Sequence, residues 1–338
     1  MKTSAGFTRM KLNRRMLLNT AAAGIAAGGK VFGQQSVPSQ QTSRAKGPLV
    51  WLDMDQKELD DAYTQAAYAP NQRQITNRYA ANSDLTRQRI GPPRRFAYGP
   101  TPIEGLDVYP TTRRTNAPIL VYVHGGAWRN GLAKHYAFPA EVFTRAGAHY
   151  VALDFINVDD AGGSLEPMAD QVRRAVAWVY RNAASFGGDS NRLYLAGHSS
   201  GAHLAGVVLV TDWQNEFKLP PDVVKAALCC SGIYDLEPVR LSVRSSYVKF
   251  TDESEQALSP QRHLAKLACP VTLAFGTLET PEFQRQTRDF ASALKAAGKP
   301  EQLLVGDGYN HFEIMETLGN PYGLLGRAAL ELMNLAPV

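Results

Sequence analysis

Six short apolar runs, spaced by segments of helical period, constrain this chain more than any other feature. They are Ile119–Val123, His149–Phe155, Arg192–Ala196, Val224–Cys230, Val271–Phe275 and Gln302–Val305. A continuous apolar run of this length suits a strand covered on both faces. Between them Met168, Val172, Val176 and Val179 recur at helical spacing, which predicts a helix over roughly 166–185. Helices are also expected over Lys134–Arg145, Ser200–Val210, Pro281–Ala297 and Pro321–Asn334, and Arg95–Tyr98 with Gly105–Tyr109 reads as a hairpin-like pair. Such alternation calls for a mostly parallel central sheet with helices on both faces, an α/β architecture. The stretch from Ile233 to Leu267 lacks the rhythm and is expected as a small cap insertion over the sheet.

The 338 residues, 44% hydrophobic and 20% charged, fit one large globular domain that needs no metal or disulfide staple. The basic balance is confined to the amino end. Lys2, Arg9, Lys11, Arg14, Arg15 and Lys30 precede Gln34 and no acid does, so the net charge of +5 becomes −1 without residues 1–33. No electrostatic footprint for nucleic acid is then left. Arg14-Arg15 ahead of a short, weakly apolar Ala/Gly run reads as a twin-arginine-like export signal over 1–33. That implies handling of the precursor by the twin-arginine export machinery, a periplasmic or secreted product, and no stable membrane anchor after processing. Residues 34–51, rich at first in Gln, Ser and Pro, are expected as a linker, and 52–338 as the catalytic domain. Within it Asp53 to Tyr68 is a helix candidate, and the polar segment 52–84 is expected to wrap the domain. Cys229, Cys230 and Cys269 form no disulfide framework and no metal spacing, and read as buried, inert thiols. No cofactor or metal is expected.

The chemistry centres on Gly197-His198-Ser199-Ser200-Gly201, placed between a predicted strand and a predicted helix. In that context G-x-S-x-G is a nucleophile elbow, whose strained turn tolerates only small neighbours and lifts Ser199 above the sheet. Ser200 fails the pattern, because His198 and Ala202 stand where its glycines would be. His124-Gly125-Gly126-Ala127-Trp128 directly follows another strand. Its glycines allow backbone N–H groups to approach a developing oxyanion, so Gly125 or Gly126, together with the N–H of Ser200, is the expected donor set. His124 is read as a brace for that loop.

A serine hydroxyl needs a base, and the base an orienting acid. His311 lies in a loop after the last strand, whereas His135, His149 and His263 read as structural and His198 and His203 as too local to the elbow. Glu279, just beyond Val271–Phe275, is the favoured acid, with Asp235 and Glu237 as competitors. Trp128, Tyr234 and Tyr309 near predicted strand ends are candidate substrate-binding walls. A small-molecule ester or amide is the expected substrate. A catalytically silent binding module, which typically lacks Ser or His, is the remote alternative.

From about Leu52 onward the chain resembles the kynurenine formamidase-like branch of the α/β-hydrolases. The likeness rests on Tyr98-Gly99-Pro100, Leu106-Asp107-Val108-Tyr109-Pro110, the 124–128 loop, Gly197–Leu204, Ser231–Pro238, Pro281-Glu282-Phe283 and His311-Phe312-Glu313-Ile314, in order. It implies the α/β-hydrolase fold, a Ser199, Glu279, His311 triad and an oxyanion hole from Gly125/Gly126 with Ser200. Glu279 stands where that family usually has Asp, and the export leader sets this chain apart from an intracellular formamidase. Ester hydrolysis is therefore expected ahead of arylformamidase activity, with feruloyl or acetyl ester cleavage as a further alternative.

Overall fold

A computed structural model of the protein describes residues 45–338. The expected export signal, 1–33, and the expected linker as far as residue 44 lie outside the described residues. Eight strands form the main sheet in the order β10-β9-β8-β7-β5-β6-β4-β3. They are β3 (Arg94–Ala97), β4 (Gly105–Tyr109), β5 (Ala117–Val123), β6 (His149–Leu153), β7 (Gly188–His198), β8 (Ala227–Cys230), β9 (Val271–Gly276) and β10 (Glu301–Gly306). All neighbours pair in parallel except β4, which runs against both β3 and β6. Pro118 inside β5 cannot donate to the ladder, and the β5–β7 register shifts between Ala117 and Ile119.

Helices cover both faces, and the alternation along β5 divides the core between them. Ile119, Val121 and Val123 join one apolar cluster with residues of α4 (Glu166–Asn182), α5 (Ser200–Leu209) and α9 (Pro281–Ala296). Leu120 and Tyr122 join the other, with residues of α2 (Gln72–Ile90), α3 (Ala140–Arg145) and α11 (Leu324–Leu332). This is the α/β-hydrolase arrangement expected from the sequence. Between β8 and β9 the expected insertion is a set of short helices, α7 (Glu237–Leu241) and α8 (Asp252–Ala257) with 3-10 turns at Val243–Ser246 and Pro260–Lys266.

Several expectations need correction. Ordered structure begins within the segment read as linker: β1 (Leu49–Trp51) pairs antiparallel with β2 (Met54–Asp55), and Trp51 packs on the core. The helix expected over Asp53–Tyr68 is shorter, α1 (Gln56–Ala62), started by a capping box of Asp55 with Glu58 and followed by a 3-10 turn at Gln65–Ala67. The Lys134–Arg145 helix is split, because Pro139 stands between a 3-10 turn at Ala133–Tyr136 and α3. No helix among the described residues is long and apolar enough to cross a membrane.

Candidate active site

β7 ends at His198 and α5 begins at Ser200, so Ser199 occupies the turn alone, at φ 58° and ψ −128°. That left-handed geometry is costly for a residue with a side chain, and the sequence has removed obstacles around it. A Cβ on Gly201 would fall 2.2 Å from the Val123 carbonyl, and one on Gly125 would fall 3.0 Å from the Ser199 Cβ. Both glycines are therefore required by close approach between the two loops.

Strand order brings three distant segments to the carboxyl edge of the sheet, where parallel α/β sheets place their ligand sites. Ser199 Oγ lies 2.8 Å from His311 Nε2, and His311 Nδ1 lies 2.7 Å from Glu279 Oε2. All three side chains are buried. The other Glu279 oxygen accepts from Ser231 Oγ at 2.6 Å and from the Gly276 N–H at 2.7 Å. Both oxygens of the acid are thus fixed. Asp235, the competing acid, instead pairs with Arg262 at 2.8 Å, and Glu237 lies near the same guanidinium at 3.6 Å. Neither is hydrogen-bonded to His311.

The neighbouring histidines brace this arrangement. His198 Nε2 lies 2.8 Å from the His311 carbonyl, and burial, with His311 alongside, holds its pKa well below the usual value. It is neutral, and its Nε2–H donates to that carbonyl. His203 faces the Leu258 carbonyl through Nε2 and accepts from Trp128 Nε1 at 3.2 Å through Nδ1. An accepting Nδ1 requires the neutral ring, and burial lowers this pKa to about 4. His124 stacks on Phe155 at 4.4 Å and reaches the Gly125 carbonyl at 2.8 Å, so it does brace the 124–128 loop. Burial lowers its pKa as well.

That loop curls through Gly126, Ala127 and Trp128, all at positive φ. The N–H groups of Gly125 and Gly126 meet no acceptor among the described residues. Ser200 opens α5, so its N–H has no acceptor within the helix. Trp128 ties the loop to the elbow by donating its N–H to Ser200 Oγ at 3.2 Å. Its indole is buried against His203, an anchor for the loop. Tyr234 is fully buried and stacks on Phe290 at 4.1 Å, so it offers no open wall to a substrate. Tyr309 is half-buried and packs on the opposite face of the sheet from Trp128. The rings that meet His311 edge-on are Phe283 and Phe312, at 4.9 and 5.1 Å.

Sequence reasoning missed Ser231, which follows β8 directly and stands at φ 54°. Its place at the carboxyl end of a central strand, ahead of Gly232, was the available signal. The loop of His311 is also held by α2. Asn310 Nδ2 donates to Asn71 Oδ1 at 2.9 Å, Asn71 Nδ2 to Glu313 Oε1 at 2.7 Å, and the Tyr79 hydroxyl to the Phe312 carbonyl. Among the described residues no cluster of His, Cys, Asp and Glu is able to hold a metal ion, and the three cysteines are buried and free.

A mostly parallel sheet covered on both faces, with Ser, His and Glu aligned at its carboxyl edge, defines an α/β-hydrolase. The chain belongs to the kynurenine formamidase-like branch of that superfamily, and the BD-FAE family matches residues 106–291. It is 30% identical to the kynurenine formamidase of Danio rerio over 84% of this chain and 98% of that protein. It is 28% identical to the isoprenylcysteine alpha-carbonyl methylesterase ICME of Arabidopsis thaliana, over 65% of this chain and 56% of that one. The solved structure of esterase LipW from Mycobacterium marinum superposes with a TM-score of 0.62 at 19% identity, covering 79% of this chain and 88% of that one.

Proposed function

We propose that this chain is a serine hydrolase that cleaves small carboxylic esters bearing an aromatic group near His311, through an acyl-enzyme on Ser199. The observation that carries this reading is the unbroken hydrogen-bond line from Ser199 Oγ through both nitrogens of His311 to Glu279. In the first half-reaction Ser199 Oγ bonds to the substrate carbonyl carbon as its proton passes to His311 Nε2. Negative charge moves to the carbonyl oxygen, where the N–H groups of Gly125 or Gly126 and of Ser200 receive it. The tetrahedral intermediate collapses, the bond to the leaving oxygen breaks, and His311 returns the proton to it. Water then repeats the sequence on the acyl-enzyme, releasing the acid and restoring Ser199. Glu279 holds the Nδ1–H and stabilises the imidazolium in each half.

A second reading, arylformamidase activity, follows from the similarity to kynurenine formamidase over nearly the whole of that protein. It uses the same steps with a formyl group and an amine leaving group. The experiment measures kcat/KM for phenyl acetate and N-formylkynurenine under one set of conditions, with mass spectrometry of the quenched ester reaction. The expected result is faster ester turnover and an acetyl adduct on the peptide carrying Ser199. A formamide value above that of the ester would overturn the ester reading. Absence of any adduct or turnover would favour a silent binding module. Export to the periplasm under the direction of Arg14-Arg15 is part of the proposal, and amino-terminal sequencing of the periplasmic protein tests it.

A further inference from the structure

We propose that Arg244 receives an anionic group of the substrate, so that the enzyme takes small aromatic esters bearing a carboxylate. The inference rests on the hydrolase reading and adds the substrate class. Arg244 lies on the 3-10 turn Val243–Ser246 of the insertion between β8 and β9, and only 5% of it is exposed. Its Nη2 donates to the Tyr63 carbonyl at 3.1 Å. Its Nε and Nη1 are buried without any acceptor, and no carboxylate pairs with it among the described residues. A buried cation left unpaired is strongly unfavourable, and a guanidinium is the side chain best shaped to receive a carboxylate.

The surroundings tie this cation to the triad. The guanidinium carbon is 5.2 Å from the Trp128 ring and 5.7 Å from the Phe283 ring. Trp128 closes the loop that faces Ser199, and Phe283 stands edge-on to His311, so one ring separates the guanidinium from the base. A buried acid nearby, Glu282, is already committed. It accepts from the Tyr63 hydroxyl and is held by two nitrogens of Arg285 at 2.6 and 2.7 Å. The same amino-terminal segment buries a second unpartnered polar group: both amide atoms of Gln65, two residues beyond Tyr63, have no partner. Aromatic walls with an uncompensated cation match a flat, negatively charged substrate.

The experiment compares kcat/KM for para-acetoxybenzoate and the uncharged para-acetoxybenzamide, with the meta isomers alongside, in the full chain and in Arg244→Met. The expected result is a preference for the carboxylate ester of about tenfold or more, expressed in KM and erased in the variant. A wild-type enzyme without that preference, or a preference unmoved by the substitution, overturns the proposal. A merely structural Arg244 would lower both substrates together and leave the ratio alone. Arg244→Lys keeps the charge and serves if the Met variant does not fold, with a reduced preference expected. Should no ester turn over, the hydrolase reading fails, and calorimetry with para-hydroxybenzoate and para-hydroxybenzamide decides this one. Selective carboxylate binding then supports it, and equal binding of the two overturns it.

Discussion

Glu279 carries one methylene more than the aspartate usual at its position in this family, and its loop absorbs the extra length. One carboxylate oxygen turns back to the Ser231 hydroxyl and the Gly276 N–H while the other stays on His311. Both oxygens of Glu279 are therefore held. Glu279→Gln is expected to lower kcat by about 10³ to 10⁴, because an amide cannot stabilise the imidazolium and favours the wrong tautomer. Asp235→Asn should leave kcat within about threefold, since its carboxylate serves Arg262. Steady-state kinetics on phenyl acetate with both variants checks this, and the opposite ranking would move the acid to Asp235. The meeting of Ser199, His311 and Glu279 was legible because each sits one loop beyond a strand in a fixed order. Ser231 and Arg244 were not. The strand-end place of Ser231 was a signal, but it does not say which side chain the hydroxyl meets, and an arginine in an insertion carries no pattern until its burial is seen.

At the scale of elements, the strands were legible from apolar runs, and the helix over 166–185 from its period. The helix α2 was not, for a physical reason. It presents few apolar positions, with only Ile75, Tyr79, Ser83 and Thr86 buried, so no apolar stripe marks it. Its task is nevertheless specific. Asn71 at its start and Tyr79 one face along grip the residues on either side of His311, Asn310 and Phe312. The expected wrapping by residues 52–84 thus includes a clamp on the loop that holds the base. Asn71→Ala combined with Tyr79→Phe removes the clamp without touching the triad. The expected outcome is a fall in kcat of roughly tenfold, with KM little changed, because a displaced base loses near-attack geometry. Kinetics read beside a thermal melt separates this from general loosening. A drop in melting temperature with kcat intact would show that α2 only covers the core.

For the molecule as a whole, the buried histidines set a limit on acid stability. Burial lowers the pKa of His124, His149, His198 and His203, the last to about 4. An unfolded chain titrates these groups near 6.5. Above that pH both states are neutral and the full stability is present. As the pH falls through about 6.5, the unfolded chain takes up protons that the folded one refuses, so stability is lost progressively until the folded values are reached. His203 alone accounts for a loss of about 3 kcal/mol by pH 4. With several such groups the melting temperature is expected to fall by roughly 10 °C between about pH 7.5 and pH 5. Calorimetric melts across that range test it, with His203→Gln as the partner measurement. That variant loses a proton-binding group of the unfolded chain, so its melting temperature should depend less steeply on pH even though its value at neutral pH is lower. A wild-type melting temperature that stays level down to pH 5 would mean these rings are protonated in the folded protein. The neutral His203 that accepts from Trp128, and with it the anchoring of the oxyanion loop, would then have to be abandoned.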